Sequence, residues 1–201
     1  MSVDATKIEV PMPIRTPRLE LRVPDPAYAV EMAEAIRESW EGLSRWMPWA
    51  VDLKEETSDK KVLSLQRAAE KFMAREDFTF LPVERERGRL IGSAGIHLLD
   101  PVIRSYRIGY WIRASEQEKG YATEISKGLL RYTFEALNAR RIEIRYSEGN
   151  EASAAVVRKL DIHFEGIRRN DALLPGGLLA DKYVYAAIPG DKLSEIDVSW
   201  G

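Results

Sequence analysis

Cysteine is missing from all 201 residues, and histidine occurs only twice, at His97 and His163. The first absence excludes disulfides, thiolate nucleophiles, zinc–thiolate sites and iron–sulfur clusters together. The second excludes a histidine-rich metal site and leaves a Ser-His-Asp triad only two bases to draw on. No metal cofactor is expected. Net charge is small as well: 30 Lys and Arg against 32 Asp and Glu leave a formal charge of −2. That balance, without a basic strand of interleaved aromatics, argues against a nucleic-acid partner. No apolar run approaches the roughly 18 residues that cross a bilayer. Met1 to Val10 holds no basic segment leading into an apolar one, so no secretory signal shows. No membrane partner is expected, and the cytoplasm is the expected location.

What is present is ordinary globular composition, 45% hydrophobic and 31% charged. A chain of this length buries roughly 70% of its unfolded surface and needs no covalent staple. Pro11, Pro13 and Pro17 favour an extended N-terminal arm over 1–13. Leu19, Leu21 and Val23 alternate with charged residues as a strand, and Asp25-Pro26 opens a helix to about Glu38. Three tryptophans fall between Trp40 and Ala50. Ser58 or Asp59 opens a second helix through about Arg75. Strands follow over 78–83, 90–98 and 106–112, then a helix over 120–137, a strand over 142–146 and a helix over 151–160. Two last strands, 164–168 and 183–188, flank a Pro-Gly-Gly turn. The pattern predicts a mixed α/β domain over 14–188 with a central antiparallel meander, and a tail over 189–201.

The chemically informative stretch runs from Tyr110 to Ala122, where a strand turns through Ser115–Gly120 into a helix. A helix N-terminus leaves backbone N–H groups unpaired and carries about half a positive charge. A glycine there lets a phosphate approach the backbone. The segment is neither a Walker A loop nor a dinucleotide fingerprint. From Gly120 alone, a plain strand-to-helix turn that needs a glycine is the favoured reading.

Gln117-x-x-Gly120-x-Ala122 resembles the pyrophosphate loop of the GNAT superfamily of N-acetyltransferases. Ile108-Gly109-Tyr110-Trp111-Ile112, Gly120-Tyr121-Ala122-Thr123-Glu124, Arg141-Ile142-Glu143, Asn150-x-x-Ser153 and Lys159-Leu160 follow in the order of one branch. Thr16-Pro17-Arg18-Leu19 and Trp46-Met47-Pro48-Trp49 are similar to its N-terminal signatures. That branch is the Rim-type ribosomal-protein alanine N-acetyltransferases, and the resemblance covers about residues 14–188. It implies a mostly antiparallel sheet splayed between the fourth and fifth strands and flanked by helices. It also implies an acetyl-CoA-dependent enzyme that acetylates an amine acceptor in a ternary complex, and it leaves a homodimer open.

The resemblance places the cofactor on Tyr110, Trp111, Ile112, Gln117, Glu118, Lys119, Gly120, Tyr121, Ala122 and Asn150. Arg113 and Lys119 would add charge near the phosphates or simply face solvent. Asn150 would cap the last helix, contact the CoA arm, or both. The acid that many GNAT enzymes carry as a tyrosine falls here on Val157, and the branch offers Ser153 instead, which otherwise is an ordinary N3 helix residue. A glutamate common in the branch is replaced by Arg107. Among general bases His97 stands out, with a structural histidine as the plainer reading. Trp46 and Trp49 are expected at the acceptor cleft or as a packing plug, and Asp181 at a substrate ammonium or merely at a turn. The acceptor is a protein N-terminal α-amine or a small amine such as an aminoglycoside, polyamine or amino-acid-like molecule. A catalytically silent acyl-CoA-binding module is the other class.

Overall fold

The computed structural model describes residues 9–201. Nine strands form one sheet: β1 (Ile14–Arg15), β2 (Leu19–Arg22), β3 (Phe78–Glu84), β4 (Gly92–Asp100), β5 (Ser105–Ile112), β6 (Arg141–Ser147), β7 (His163–Leu173), β8 (Leu179–Ala187) and β9 (Ser199–Trp200). Their order is β7-β8-β6-β5-β4-β3-β2-β1-β9. Five α-helices join them: α1 (Ala29–Glu38), α2 (Trp40–Trp46), α3 (Ser58–Met73), α4 (Tyr121–Glu135) and α5 (Glu151–Val157).

The meander β3–β4–β5 is antiparallel, as the alternation of its residues predicts. β5 and β6 are joined through α4, and a crossover of that length yields a parallel pair. Their pairing covers only Ser105↔Arg141 to Ile108↔Ile144. Beyond Ile108, β5 stays paired with β4 as far as Ile112↔Gly92, while β6 stays paired with β8 as far as Ser147↔Lys182. The two strands therefore part in the middle of the sheet; they are the fourth and fifth strands of the sequence reading, which lacks the two-residue β1, and this is the expected splay.

One core lies between the sheet and α4, whose Ile125, Leu129 and Tyr132 are fully buried. Each such side chain contributes about 1.5–3 kcal/mol relative to exposure. Edge-to-face rings run from Phe72 to Phe80, Tyr132 and Trp200, with centroids 5.3–6.4 Å apart. A second core packs α1 and α3 residues such as Met32, Ile36 and Leu65 against Leu81 and Leu90.

Three features depart from the sequence reading. The segment 189–201 returns to the sheet, where Trp200 pairs with Ile14 and closes the aromatic chain on Tyr132. α2 carries no sequence signal because it is seven residues long, contains Gly42 and has no side-chain cap. The last hairpin is longer than its alternation indicates, since bulges at Phe164/Gly166 and Arg168/Ala172 break the period of two.

Candidate active site

Two cavities open on either side of the splay. One, of about 510 Å³, runs from the Gln117–Ala122 loop past α5. The other, of about 700 Å³, lies over β4, β5, β6 and the β7–β8 hairpin. They share Trp46, Met47, Tyr110, Trp111, Asn150 and Ser153, so they meet where β5 and β6 part. A larger cavity of about 870 Å³ lies away from the splay, between α4 and the segment 188–197.

The first cavity ends on the N-terminus of α4. Gly120 caps the helix with φ +83, a conformation that suits glycine, and no side chain bonds the helix start. Glu124 N–H makes the first helical bond, to Gly120 O at 3.0 Å. The N–H groups of Tyr121, Ala122 and Thr123 precede it, outside the helical ladder and at the positive end of the helix dipole, where an anion is favoured. Glu118 also has positive φ, at 60°, which bends the loop around this point. Gln117 acts differently from the expectation. Its N–H is bound to Ala114 O at 3.2 Å and its side chain donates to Ile112 O at 3.0 Å, so it holds the loop to the end of β5.

Buried charge fixes the loop. Arg113 is 4% exposed and donates to both oxygens of Glu38, at 3.0 and 2.7 Å. The guanidinium, with help from Ser115, lowers the Glu38 carboxyl to about 2. Arg113 is thus a brace and offers no charge to a phosphate. Lys119 likewise donates to Ser115 O and Glu116 Oε2, at 2.8 and 3.0 Å, and its side chain is turned from the cavity. Burial alone would raise the Glu116 carboxyl, but Arg87 and Lys119 outweigh it and lower the pKa. On the other side Glu124 accepts from Thr16 Oγ1 at 2.6 Å, Arg18 N–H at 2.8 Å and Arg18 Nε at 2.6 Å. Arg18 also donates to Lys119 O at 2.9 Å and lies over the Tyr121 ring. Two motifs a hundred residues apart in sequence thereby form one lock on the helix start.

At the meeting of the cavities, Asn150 caps α5 by accepting from Ser153 N–H at 3.1 Å. Ser153 lines both cavities. The Tyr110 hydroxyl is buried and makes no hydrogen bond of good geometry among the described residues. Burial pushes this phenol up to about 12, with the neighbouring Ser153 and Ser126 hydroxyls pulling slightly the other way. The sequence singles out Tyr110 for its backbone; its side chain is the part that reading missed.

The second cavity holds His97. Its Nδ1 lies 2.5 Å from Asp77 Oδ1. Burial would raise the Asp77 carboxyl, but the imidazole outweighs it and holds the pKa below its ordinary value. An ionised carboxylate only accepts, so Nδ1 is the donor in this pair, and it is Nε2 that faces away from Asp77. A Cβ on Gly95 would come within 2.9 Å of Nε2, and one on Gly109 within 3.6 Å, so the ring lies over bare glycine backbone. Trp46 and Trp49 also line this cavity, and Trp49 packs on Trp111 with ring centroids 6.4 Å apart. Asp181 does not. It accepts from Asn170 N–H at 2.9 Å and braces the bulged hairpin, and the strand alternation turns Lys182 into the cavity in its place.

The profile of the acetyltransferase (GNAT) domain matches residues 18–163. The chain belongs to the GNAT acetyltransferase family. It is 37% identical over 101 residues to "Putative ribosomal N-acetyltransferase YdaF" of Bacillus subtilis, which is 50% of this chain and 55% of that protein. The match thus spans little more than half the length of that curated relative. In fold it is similar to Mycobacterium smegmatis RimJ in complex with CoA-disulfide, with a TM-score of 0.80 and 21% identity, covering 92% and 89% of the two chains. It is similar too to ribosomal-protein-S5-alanine acetyltransferase from Vibrio fischeri, with a TM-score of 0.78 and 21% identity over 91% and 98%. Among the described residues no cluster of His, Asp and Glu suited to a metal occurs, and no helix is long and apolar enough to cross a membrane.

Proposed function

We propose that this protein transfers an acetyl group from acetyl-CoA directly to a primary amine in the cytoplasm, with a protein N-terminal α-amine as the favoured acceptor. The observation that carries the reading is the uncapped, glycine-led start of α4 opening on the same cavity as the splay. Acetyl-CoA, when bound, supplies an activated acetyl thioester. The loop amides from Glu118 to Ala122 hold its pyrophosphate, and Lys119 contributes only backbone. Tyr110, Trp111 and Ile112 receive the pantetheine arm along the open edge of β5, with Asn150 opposite. Backbone N–H groups there hold the oxygen that gains charge.

Ser153 donates a hydrogen bond to the departing sulfur, beside the Tyr110 hydroxyl. A thiol of pKa near 8.5 is a moderately poor leaving group, and a positioned donor contributes about 10²–10⁴-fold. His97 Nε2 takes the proton that the amine loses, with Asp77 fixing the ring. An α-amine of pKa near 7.7–8.0 costs only about 1 kcal/mol to neutralise at pH 7, against about 4.5 kcal/mol for a lysine side chain. A single modest base therefore suits an α-amine. Trp46 and Trp49 shape the acceptor cleft. The likeness to ribosomal-protein acetyltransferases supports a protein N-terminus. A small amine is the second reading, for which the 700 Å³ cavity offers room.

Gly120→Glu tests the cofactor half, because it places a side chain at φ +83 and a negative charge at the anion site. Calorimetry is expected to show acetyl-CoA binding lost at least 100-fold with the circular dichroism spectrum intact. Unchanged affinity overturns the assignment.

A further inference from the structure

The acceptor cavity carries an electrostatic imbalance that base, acid and cofactor loop leave unexplained. Arg107 on β5 and Lys182 on β8 are half-buried and line the cavity. Neither side chain makes a hydrogen bond or an ion pair within 4 Å among the described residues. Every carboxylate nearby is already engaged. Asp77 is held by His97 and by Thr79 Oγ1 at 3.3 Å. Glu143 accepts from Arg141 Nε at 3.1 Å and Arg145 Nε at 2.6 Å. Asp171, which also lines the cavity, is 4.0 Å from Arg168, and Asp181 accepts from Asn170. Arg145 adds a third cation to the same wall.

Two cations without partners in a half-buried site are unfavourable unless an anion joins them. Burial lowers the pKa of both; Arg107 is repelled by Arg145 and attracted by Glu143 and Asp77 without bonding either, and Lys182 is repelled by Arg107 and Arg145. Asp171 offsets this only in part for Lys182. Arg107 stands directly across the β4–β5 pair from His97, at His97↔Arg107. An anion bound there would sit one side chain away from the base.

We infer that Arg107 and Lys182 form an anion subsite, so that the acceptor is an amine bearing a carboxylate or phosphate group close to its reactive nitrogen. The inference rests on the proposed acetyl transfer for the identity of the amine but not for the anion site itself. A guanidinium fork and a neighbouring ammonium suit either oxyanion. Such an acceptor is a free amino acid, a phosphorylated amine, or a peptide with an acidic residue next to its N-terminus.

The test pairs acceptors with and without the anionic group, rates being compared per neutral amine: glycine with glycinamide, phosphoethanolamine with ethanolamine, and a peptide with Asp at its second position with its Asn counterpart. Thiol release from acetyl-CoA gives kcat/KM for each. The anionic member of at least one pair is expected to be favoured 10-fold or more, and the pair that shows it identifies the source of the anion. In Arg107→Gln, Lys182→Gln and the double variant, that ratio is expected to fall towards one. Inorganic phosphate is titrated in parallel, read by tryptophan fluorescence and by the rise in Tm. Saturable binding is expected for the wild type and its loss in the double variant, whose own Tm in the absence of phosphate is expected to be unchanged or higher. Phosphate binding lost in the double variant without turnover of any acceptor supports the anion site while overturning the acetyl-transfer reading. Equal rates within all three pairs, or phosphate binding absent in the wild type or unchanged in the double variant, overturn the anion site.

Discussion

The two cavities that meet at the splay are built from different materials. The cofactor side presents backbone: N–H groups at the start of α4, a loop turned by Glu118 and Gly120, and no side chain capping the helix. Its charged neighbours, Arg113 with Glu38 and Arg18 with Glu124, are paired among themselves and hold the loop still. The acceptor side presents side chains: His97 held by Asp77, three tryptophans, and Arg107 with Lys182. A site that serves one cosubstrate of fixed chemistry can be made of backbone. On the proposed function, the side that selects the amine does so through side-chain charge.

The largest expected effect falls on the cofactor side. Gly120→Glu should abolish acetyl-CoA binding, whereas Gly120→Ala should weaken it less, since only the φ of +83 resists the methyl and Arg18 Nη2 lies 3.5 Å away. If the two variants bind equally well, the loop is a turn and not an anion site.

Next come the groups where the cavities meet. Ser153→Ala is expected to lower kcat roughly 10²-fold with little change in acetyl-CoA affinity. Tyr110→Phe separates the two hydroxyls: it removes a buried hydroxyl without a partner, so it should leave Tm unchanged or higher. A fall in kcat for Tyr110→Phe with none for Ser153→Ala would move the acid role to Tyr110. Pre-steady-state single-turnover rates distinguish chemistry from product release.

On the acceptor side, Asp77→Asn keeps the shape but lets the imidazole exchange tautomers. It should lower kcat/KM for the amine about 10-fold or more and shift the pH profile, while acetyl-CoA affinity measured by calorimetry stays as it was. A profile that does not move makes the pair structural.

Much of this was legible in the sequence and some could not be. The meander, α4 and the Gln117–Ala122 loop are local patterns, each readable from a few consecutive residues. The capping of α5 by Asn150 is of the same kind. Arg18 with Glu124, His97 with Asp77, and Arg107 with Lys182 are juxtapositions made by sheet order, and no local spacing announces them. Arg113 read as a spare cation because its partner Glu38 lies 75 residues away. Asp181 reads from sequence as either a substrate ligand or the end of a turn, because the register of the hairpin is set by the bulges in β7.

A smaller effect is expected from acid. Glu38 is depressed to about 2 by Arg113, so its ion pair is complete above an unfolded carboxylate pKa near 4.3 and is lost as pH falls from there towards 2. After discounting for solvent, the loss is about 1 kcal/mol. Urea unfolding at pH 5 and pH 3 should show Glu38→Gln converging with the wild type at the lower pH. The smallest effect is expected from metal removal, since no suitable ligand cluster occurs among the described residues. Turnover after exhaustive chelation should be unchanged.

Acetyl transfer to an amine is measured directly as amine-dependent release of free thiol from acetyl-CoA by the purified protein. Across a panel of peptides and small amines, the account predicts saturable release with at least one acceptor and a stoichiometric N-acetylated product by mass spectrometry. Tight acetyl-CoA binding without amine-dependent release from any member would contradict it, and the chain would then be an acyl-CoA-binding module.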